Sequence, residues 1–122
     1  MIVKPRIKGF VCITSHPLGC LATIKEQAVL ASEHKVKSEK GPKRVLVIGA
    51  STGYGLSSRI ASAFSSNADT LGVYFERPPK GDKPASAGFY NSMAFHELTK
   101  DLPSKHTDSK GDALYNDCKR EV

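Results

Sequence analysis

Residues 44–64 constrain the fold more than any other stretch. Val45-Leu-Val-Ile48 is continuously apolar, as a strand of a parallel sheet covered on both faces is. It runs directly into Gly49, Gly53 and Gly55, and Leu56, Ile60 and Phe64 then recur every four residues. That recurrence is the stripe of a helix buried along one face, and Ala61 and Ala63 keep part of its surface small enough for close packing. Asn67 and Asp69 mark a turn before Thr70-Leu-Gly-Val-Tyr-Phe75, a second apolar run. The pattern predicts strand, glycine turn, helix and parallel strand, a βαβ unit of about thirty residues.

The flanks are weaker. Gly9-Phe-Val-Cys-Ile-Thr14 reads as a short strand and His16-Pro-Leu-Gly19 as a turn. Thr23-Ile-Lys-Glu26 has the form of a capping box opening a helix through Ala31. Ser32 to Lys43 is charged and carries Gly41-Pro42, which marks a linker. The chain therefore divides into an N-terminal strand-turn-helix extension over 1–40 and a main unit over 41–122. Beyond the second strand, Arg77 to Gly88 holds three prolines and two glycines and reads as an exposed loop. Asn91 or Ser92 can cap a helix through Met93, Phe95 and Leu98 towards Lys100. Topology calls for a third strand within 104–110, although those residues are polar.

The glycine turn carries the chemistry. Gly49 lets the chain turn sharply out of the strand, and Gly53 and Gly55 remove side chains where a ligand must approach the backbone. Free N–H groups at the helix start, helped by its dipole, can then hold a pyrophosphate. Ser51 and Thr52 add hydroxyls at the same rim. The G-x-x-x-G-x-G spacing resembles the short-chain dehydrogenase variant of the Rossmann turn, and no Gly-Lys-Ser/Thr follows to make it a P-loop. Glu76 ends the second strand 21 positions after Gly55. An acid there accepts hydrogen bonds from the adenosine ribose hydroxyls and repels a 2′-phosphate, which favours NADH over NADPH; Arg77 beside it is the one feature that suits NADPH. Asp112 and Ala113 fall where the loop after the third strand passes the adenine. Asp112 either bonds the adenine amino group or caps a helix. The fold class is α/β, a partial Rossmann parallel sheet ending after about the third core strand, with an N-terminal strand-helix extension.

Composition narrows the alternatives. The formal charge of +6 comes from scattered lysines and arginines, and aromatics are only 7%, so no basic stripe interleaves with aromatics as a single-strand groove needs. Nucleic acid is not an expected partner; a small basic nucleic-acid-binding protein is the alternative from a different class. Cys12, Cys20 and Cys118 show no pairing pattern and read as free thiols in a reducing compartment. His16 and Cys20 lack the further ligands a metal site needs, so no metal is expected. The N-terminus has no signal-peptide core and no segment is long and apolar enough to span a membrane, so a cytoplasmic location is expected.

Four stretches together resemble a known family: Lys4-Pro-Arg-Ile-Lys-Gly-Phe10, His16-Pro-Leu-Gly-Cys20, Gly41 to Arg59 with Tyr54 inside the turn, and Gly72-Val-Tyr-Phe-Glu-Arg-Pro78. Ala87 to Ser92 and Gly111-Asp-Ala113 extend the match. The chain resembles the N-terminal part of the trans-2-enoyl-CoA reductases and of the single-chain bacterial enoyl-acyl-carrier-protein reductases. The resemblance implies NADH-dependent reduction of an enoyl-CoA or enoyl-acyl-carrier-protein thioester in fatty-acid synthesis. By motif, Gly49, Ala50, Ser51, Thr52, Gly53, Tyr54 and Gly55 would form the pyrophosphate turn, Phe75 and Glu76 would meet the adenosine, and Asp112 with Ala113 the adenine. It also implies a catalytic Tyr-x8-Lys pair beyond Val122, so no catalytic residue is expected here and this stretch alone should be inactive. The alternative within the same class is a non-catalytic nucleotide-binding remnant. Tyr74 and Lys83 have that spacing by coincidence, on a strand and a proline-rich loop. Leu21 and Ser109 depart from the family's pattern, and Ser109 weakens the third strand. A sheet ending there should leave Val45–Ile48 with an open edge. That edge would be covered by Phe10–Thr14, by self-association or by a completing polypeptide.

Overall fold

The structure is a computed structural model and describes residues 2–37, 39–114 and 119–120. Readings that involve Tyr115 or Cys118 lie outside them. The chain opens with a small antiparallel hairpin, β1 (Ile7–Lys8) and β2 (Val11–Cys12), turned at Gly9 with φ of +64°. The first helix, α1, spans Pro17–Glu33. It starts earlier than the capping box suggests: the His16 imidazole Nδ1 accepts the Leu18 N–H at 3.2 Å, and Pro17 occupies the first turn. Proline is suited there because its missing N–H would have no intrahelical acceptor. Thr23 and Glu26 lie inside the helix. The helix also continues through Ser32 and Glu33, so the linker is shorter than expected. The linker is tied to the following helix by the Val36 N–H, which donates to the Ser65 carbonyl at 3.0 Å.

The βαβ unit forms as the glycine pattern requires. Strand β3 (Arg44–Ile48) leads to α2 (Gly53–Ser66), which stops at Asn67 in the left-handed conformation, and β4 (Asp69–Tyr74) follows. Helix α3 spans Ala87–Thr99 and begins at Ser86 rather than at Asn91 or Ser92. Strand β5 (His106–Lys110) completes a three-stranded parallel sheet of order β3-β4-β5. The topological argument for a third strand therefore holds despite its polar residues. Val45 pairs with Thr70, and Thr70 with His106.

One core joins the three helices: Ile24 and Ala28 of α1, Leu56, Ile60 and Ala63 of α2, and Ala94 and Phe95 of α3. Val47, Ala50 and Tyr74 form a smaller cluster where the sheet meets the glycine turn. Leu46 and Ile48, on the opposite face of β3, are more than half exposed. Among the described residues the outer edge of β3 has no partner strand. Phe10–Thr14 does not cover it, because Val11 and Cys12 pair with Lys8 and Ile7 instead.

Strand β5 is held by polar anchoring rather than apolar burial. Arg59 of α2 is 1% exposed and reaches across the sheet at Gly72. A Cβ at Gly72 would sit 2.3 Å from its Nη1, so only glycine leaves the guanidinium room. Arg59 donates to Thr70 Oγ1 at 3.1 Å and to the Thr107 carbonyl at 2.8 Å, and lies over the Phe95 ring at 4.4 Å from its centroid. Its Nη1 forms an ion pair with Asp108 Oδ1 at 2.7 Å. Asp108 Oδ2 accepts the Tyr74 hydroxyl at 2.6 Å and meets His96 Nε2 at 2.7 Å. Burial opposes ionisation of Asp108, but His96, Tyr74 and Arg59 outweigh it and hold its pKa at about 2. The same burial, with the Asp108 contact, pushes the Tyr74 phenol up to about 12. Burial, then the neighbouring Arg59 charge, lowers His106.

Candidate functional site

Gly49 and Gly53 have φ of +78° and +56°, the left-handed region that side chains rarely occupy. A Cβ at either would touch nothing within 4 Å, so the backbone at both lies open to an approaching group. Gly55 is required for a different reason: its Cβ would fall 2.1 Å from the Gly49 carbonyl oxygen. The turn is fixed from below, because the N–H groups of Gly49 and Ala50 both donate to the Val73 carbonyl, at 2.8 and 3.1 Å. Thr52 is the N-cap residue of α2, and its side chain does not cap the helix. The first amides of α2, at Gly53, Tyr54 and Gly55, therefore have no intrahelical acceptor and form a positive, open helix end. The geometry suits a bound phosphate or pyrophosphate.

Glu76 follows β4 two residues after Tyr74 and is held firmly. The Ser51 hydroxyl donates to Glu76 Oε1 at 2.6 Å, and the Ser86 hydroxyl donates to Oε2. Ser51 is 5% exposed, so this hydroxyl faces Glu76 and not the outer rim of the turn. The Ser51 carbonyl accepts from Asn91 Nδ2 at 3.1 Å, which joins the turn to α3. The first turn of α3 presses on the carboxylate: a Cβ at Gly88 would lie 2.0 Å from Glu76 Oε1 and 2.9 Å from the Ser51 Cβ. Ser86, the N-cap residue of α3, makes no capping bond with its side chain, consistent with a hydroxyl committed to Glu76.

The remaining sequence-derived residues surround this centre. Ala50 is buried beneath the turn, while Tyr54 and Phe75 are exposed beside it. Asp112 and Ala113 follow β5. The Gly111 N–H donates to the Tyr74 carbonyl at 2.9 Å, and Asp112 Oδ1 accepts the Leu114 N–H at 2.9 Å. This bond closes a local turn over 112–114. Tyr74 is buried with its hydroxyl on Asp108, and Lys83 stands in the exposed 80–83 turn. Cys12 and Cys20 are free thiols, and no group of three or more candidate metal ligands occurs among the described residues. A cavity of about 930 Å³ between the N-terminal arm and the 79–84 loop contains none of the predicted site residues.

Sequence reasoning missed Ser86, Gly88 and Asn91. The available signal was the run Ser86-Ala-Gly88 opening an aromatic helix, which permits a close approach at a helix start. It also missed the Arg59–Asp108 anchor, whose members lie 49 positions apart with no local pattern to link them.

Comparison with known proteins bears on this geometry. Residues 2–81 match the family model described as the NAD(P)H binding domain of trans-2-enoyl-CoA reductase. The chain is 50% identical over 122 residues to an enoyl-[acyl-carrier-protein] reductase [NADH] of Burkholderia pseudomallei (strain 668). It is 52% identical over 123 residues to the protein of the same description from Burkholderia thailandensis. All of this chain is covered in both matches, but it spans only 30% of each relative's length. Among solved structures, the Treponema denticola trans-2-enoyl-CoA reductase in complex with NAD superposes with a TM-score of 0.92 at 37% identity. That match covers 100% of this chain and 32% of the other. The Clostridium acetobutulicum trans-2-enoyl-CoA reductase in complex with NADH gives 0.87 at 35% identity, covering 100% and 30%.

Proposed function

The chain belongs to the family of NAD(P)H-binding domains of trans-2-enoyl-CoA reductases, and from that premise we propose that it binds NADH in preference to NADPH. Its role is the cofactor-holding part of an enoyl-thioester reductase. The observation that carries the reading is the pairing of two features: an open glycine turn at the start of α2, and a carboxylate fixed at the end of the next strand. Residues 49–55 would hold the pyrophosphate through the amides of Gly53, Tyr54 and Gly55. Glu76 would accept the ribose hydroxyls, with Phe75 against the adenosine and Asp112 and Ala113 near the adenine. When bound, NADH supplies a hydride for the 2,3 double bond of the thioester. This chain's own residues bind and orient; none is assigned a proton-transfer role. Residues 41–122 form the binding unit, and residues 1–40 brace it through the packing of α1 on α2 and α3. Free cysteines are compatible with the cytoplasm, where we place the protein.

Isothermal titration calorimetry of the chain with each cofactor tests the reading. NADH should bind at least about 10-fold more tightly than NADPH, because a 2′-phosphate would be brought against the Glu76 carboxylate. Equal affinity, a preference for NADPH, or no binding of either would contradict it.

A further inference from the structure

We propose that Ser51 and Ser86 are positioning residues that set how strongly this site rejects a 2′-phosphate, by clamping Glu76 in place. The inference rests on the NADH reading above and deepens it. A carboxylate offers about four acceptor positions. Ser51 takes one on Oε1 and Ser86 takes one on Oε2. One position then remains on each oxygen, a match for the two neighbouring hydroxyls of a ribose, which can each donate a proton. A 2′-phosphate replaces one of those donors with further negative charge.

Glutamate is otherwise a poor discriminator, because its long side chain can rotate away from an unwelcome charge. Arg77, the next residue, could then pair with the phosphate instead. Here that escape is blocked on two sides. Ser51 belongs to the glycine turn and Ser86 to the start of α3, so the carboxylate is held between separate elements. Gly88 closes the third side, since even a methyl group there would overlap Oε1. The Ser51 backbone is itself tied to α3 through Asn91. The clamp thus makes the charge at the ribose end a fixed feature of the fold.

The test measures NADH and NADPH dissociation constants for the full chain and for Ser51→Ala, Ser86→Ala and Ser86→Thr, with thermal melts to establish that each is folded. Ser51→Ala and Ser86→Ala should each weaken NADH binding about 3- to 10-fold, on the scale of the net worth of one hydrogen bond, here the one that holds Glu76 in place. NADPH affinity should hold or rise, so the preference for NADH should fall at least about 3-fold. Ser86→Thr keeps the hydroxyl and should retain the preference. A merely structural role would weaken both cofactors together, and an unchanged preference in the folded alanine variants would overturn the inference alone. Failure of the unaltered chain to bind NADH would overturn the cofactor reading and this inference with it. Ser86 is the less buried of the two, and Ser86→Ala decides the matter if Ser51→Ala does not fold.

Discussion

Replacing Arg59 with methionine should destabilise the chain by about 3–5 kcal/mol, the usual cost of removing one partner from a buried ion pair. Methionine fills much of the volume but donates nothing. Thr70 Oγ1, the Thr107 carbonyl and Asp108 Oδ1 would each lose their Arg59 contact, and Asp108 is only 11% exposed. The loss should fall hardest on β5, whose polar residues have little apolar burial to hold them. Urea unfolding of the variant and the unaltered chain measures the difference. Its pH dependence identifies the cause. Asp108 has its pKa depressed from 3.8 to about 2 in the folded chain. Its contribution to stability is therefore present above about pH 4 and is lost as pH falls towards 2. Without Arg59 the depression is smaller, so the stability gap between the two proteins should narrow across that window. A gap that is small at pH 7 would show that the polar contacts of Arg59 add little, and one that stays constant down to pH 2 would show that its bonds to Thr70 and Thr107, not the Asp108 ion pair, carry its contribution. At the alkaline end the sign reverses: the raised Tyr74 pKa gives stability that is complete below pH 10 and lost as pH rises through about 12.

Gly55→Ala should remove cofactor binding and cost about 3 kcal/mol of stability, at the upper end of the range for over-packing. The added Cβ meets the Gly49 carbonyl oxygen at 2.1 Å and its carbon at 2.8 Å. Both are backbone atoms of a turn whose amides are bonded to Val73, so neither can yield without shifting the turn or the start of α2. Gly53→Ala provides the contrast. Its Cβ would meet nothing, and its cost is the strain of a positive φ, about 1 kcal/mol. Denaturation midpoints should therefore rank the unaltered chain above Gly53→Ala and Gly53→Ala above Gly55→Ala. The reverse order for the two variants would mean that the approach of α2 to the turn is not the limiting contact.

The βαβ unit was legible because its local signals agree. The apolar run of β3, the glycines, the Leu56–Ile60 stripe and Asn67 at the helix end all specify the same structure. The helix starts were misread where capping came from an unusual group. His16 caps α1 through its imidazole, and Ser86 commits its hydroxyl to Glu76, so neither follows the usual Ser/Thr pattern. The polar strand β5 was placed by topology alone, since its stabilising partner Arg59 lies far away in sequence. For the site, residue type and spacing identified the glycines and Glu76. They could not reveal that the Ser51 hydroxyl turns inward to the carboxylate, because that contact depends on how α3 approaches the sheet. The open edge of β3 was expected, but the pairing of Val11 and Cys12 with the preceding residues was hidden by the shortness of both strands.

The most direct test of the central claim is a ¹⁵N–¹H correlation spectrum of the chain titrated with NADH. The account predicts that the largest amide shifts fall on residues 49–55, on Phe75 and Glu76, and on Asp112 and Ala113. The core amides of α1 should hardly move. Shifts concentrated elsewhere, such as along the cavity between the N-terminal arm and the 79–84 loop, or no shifts at saturating NADH, would contradict it.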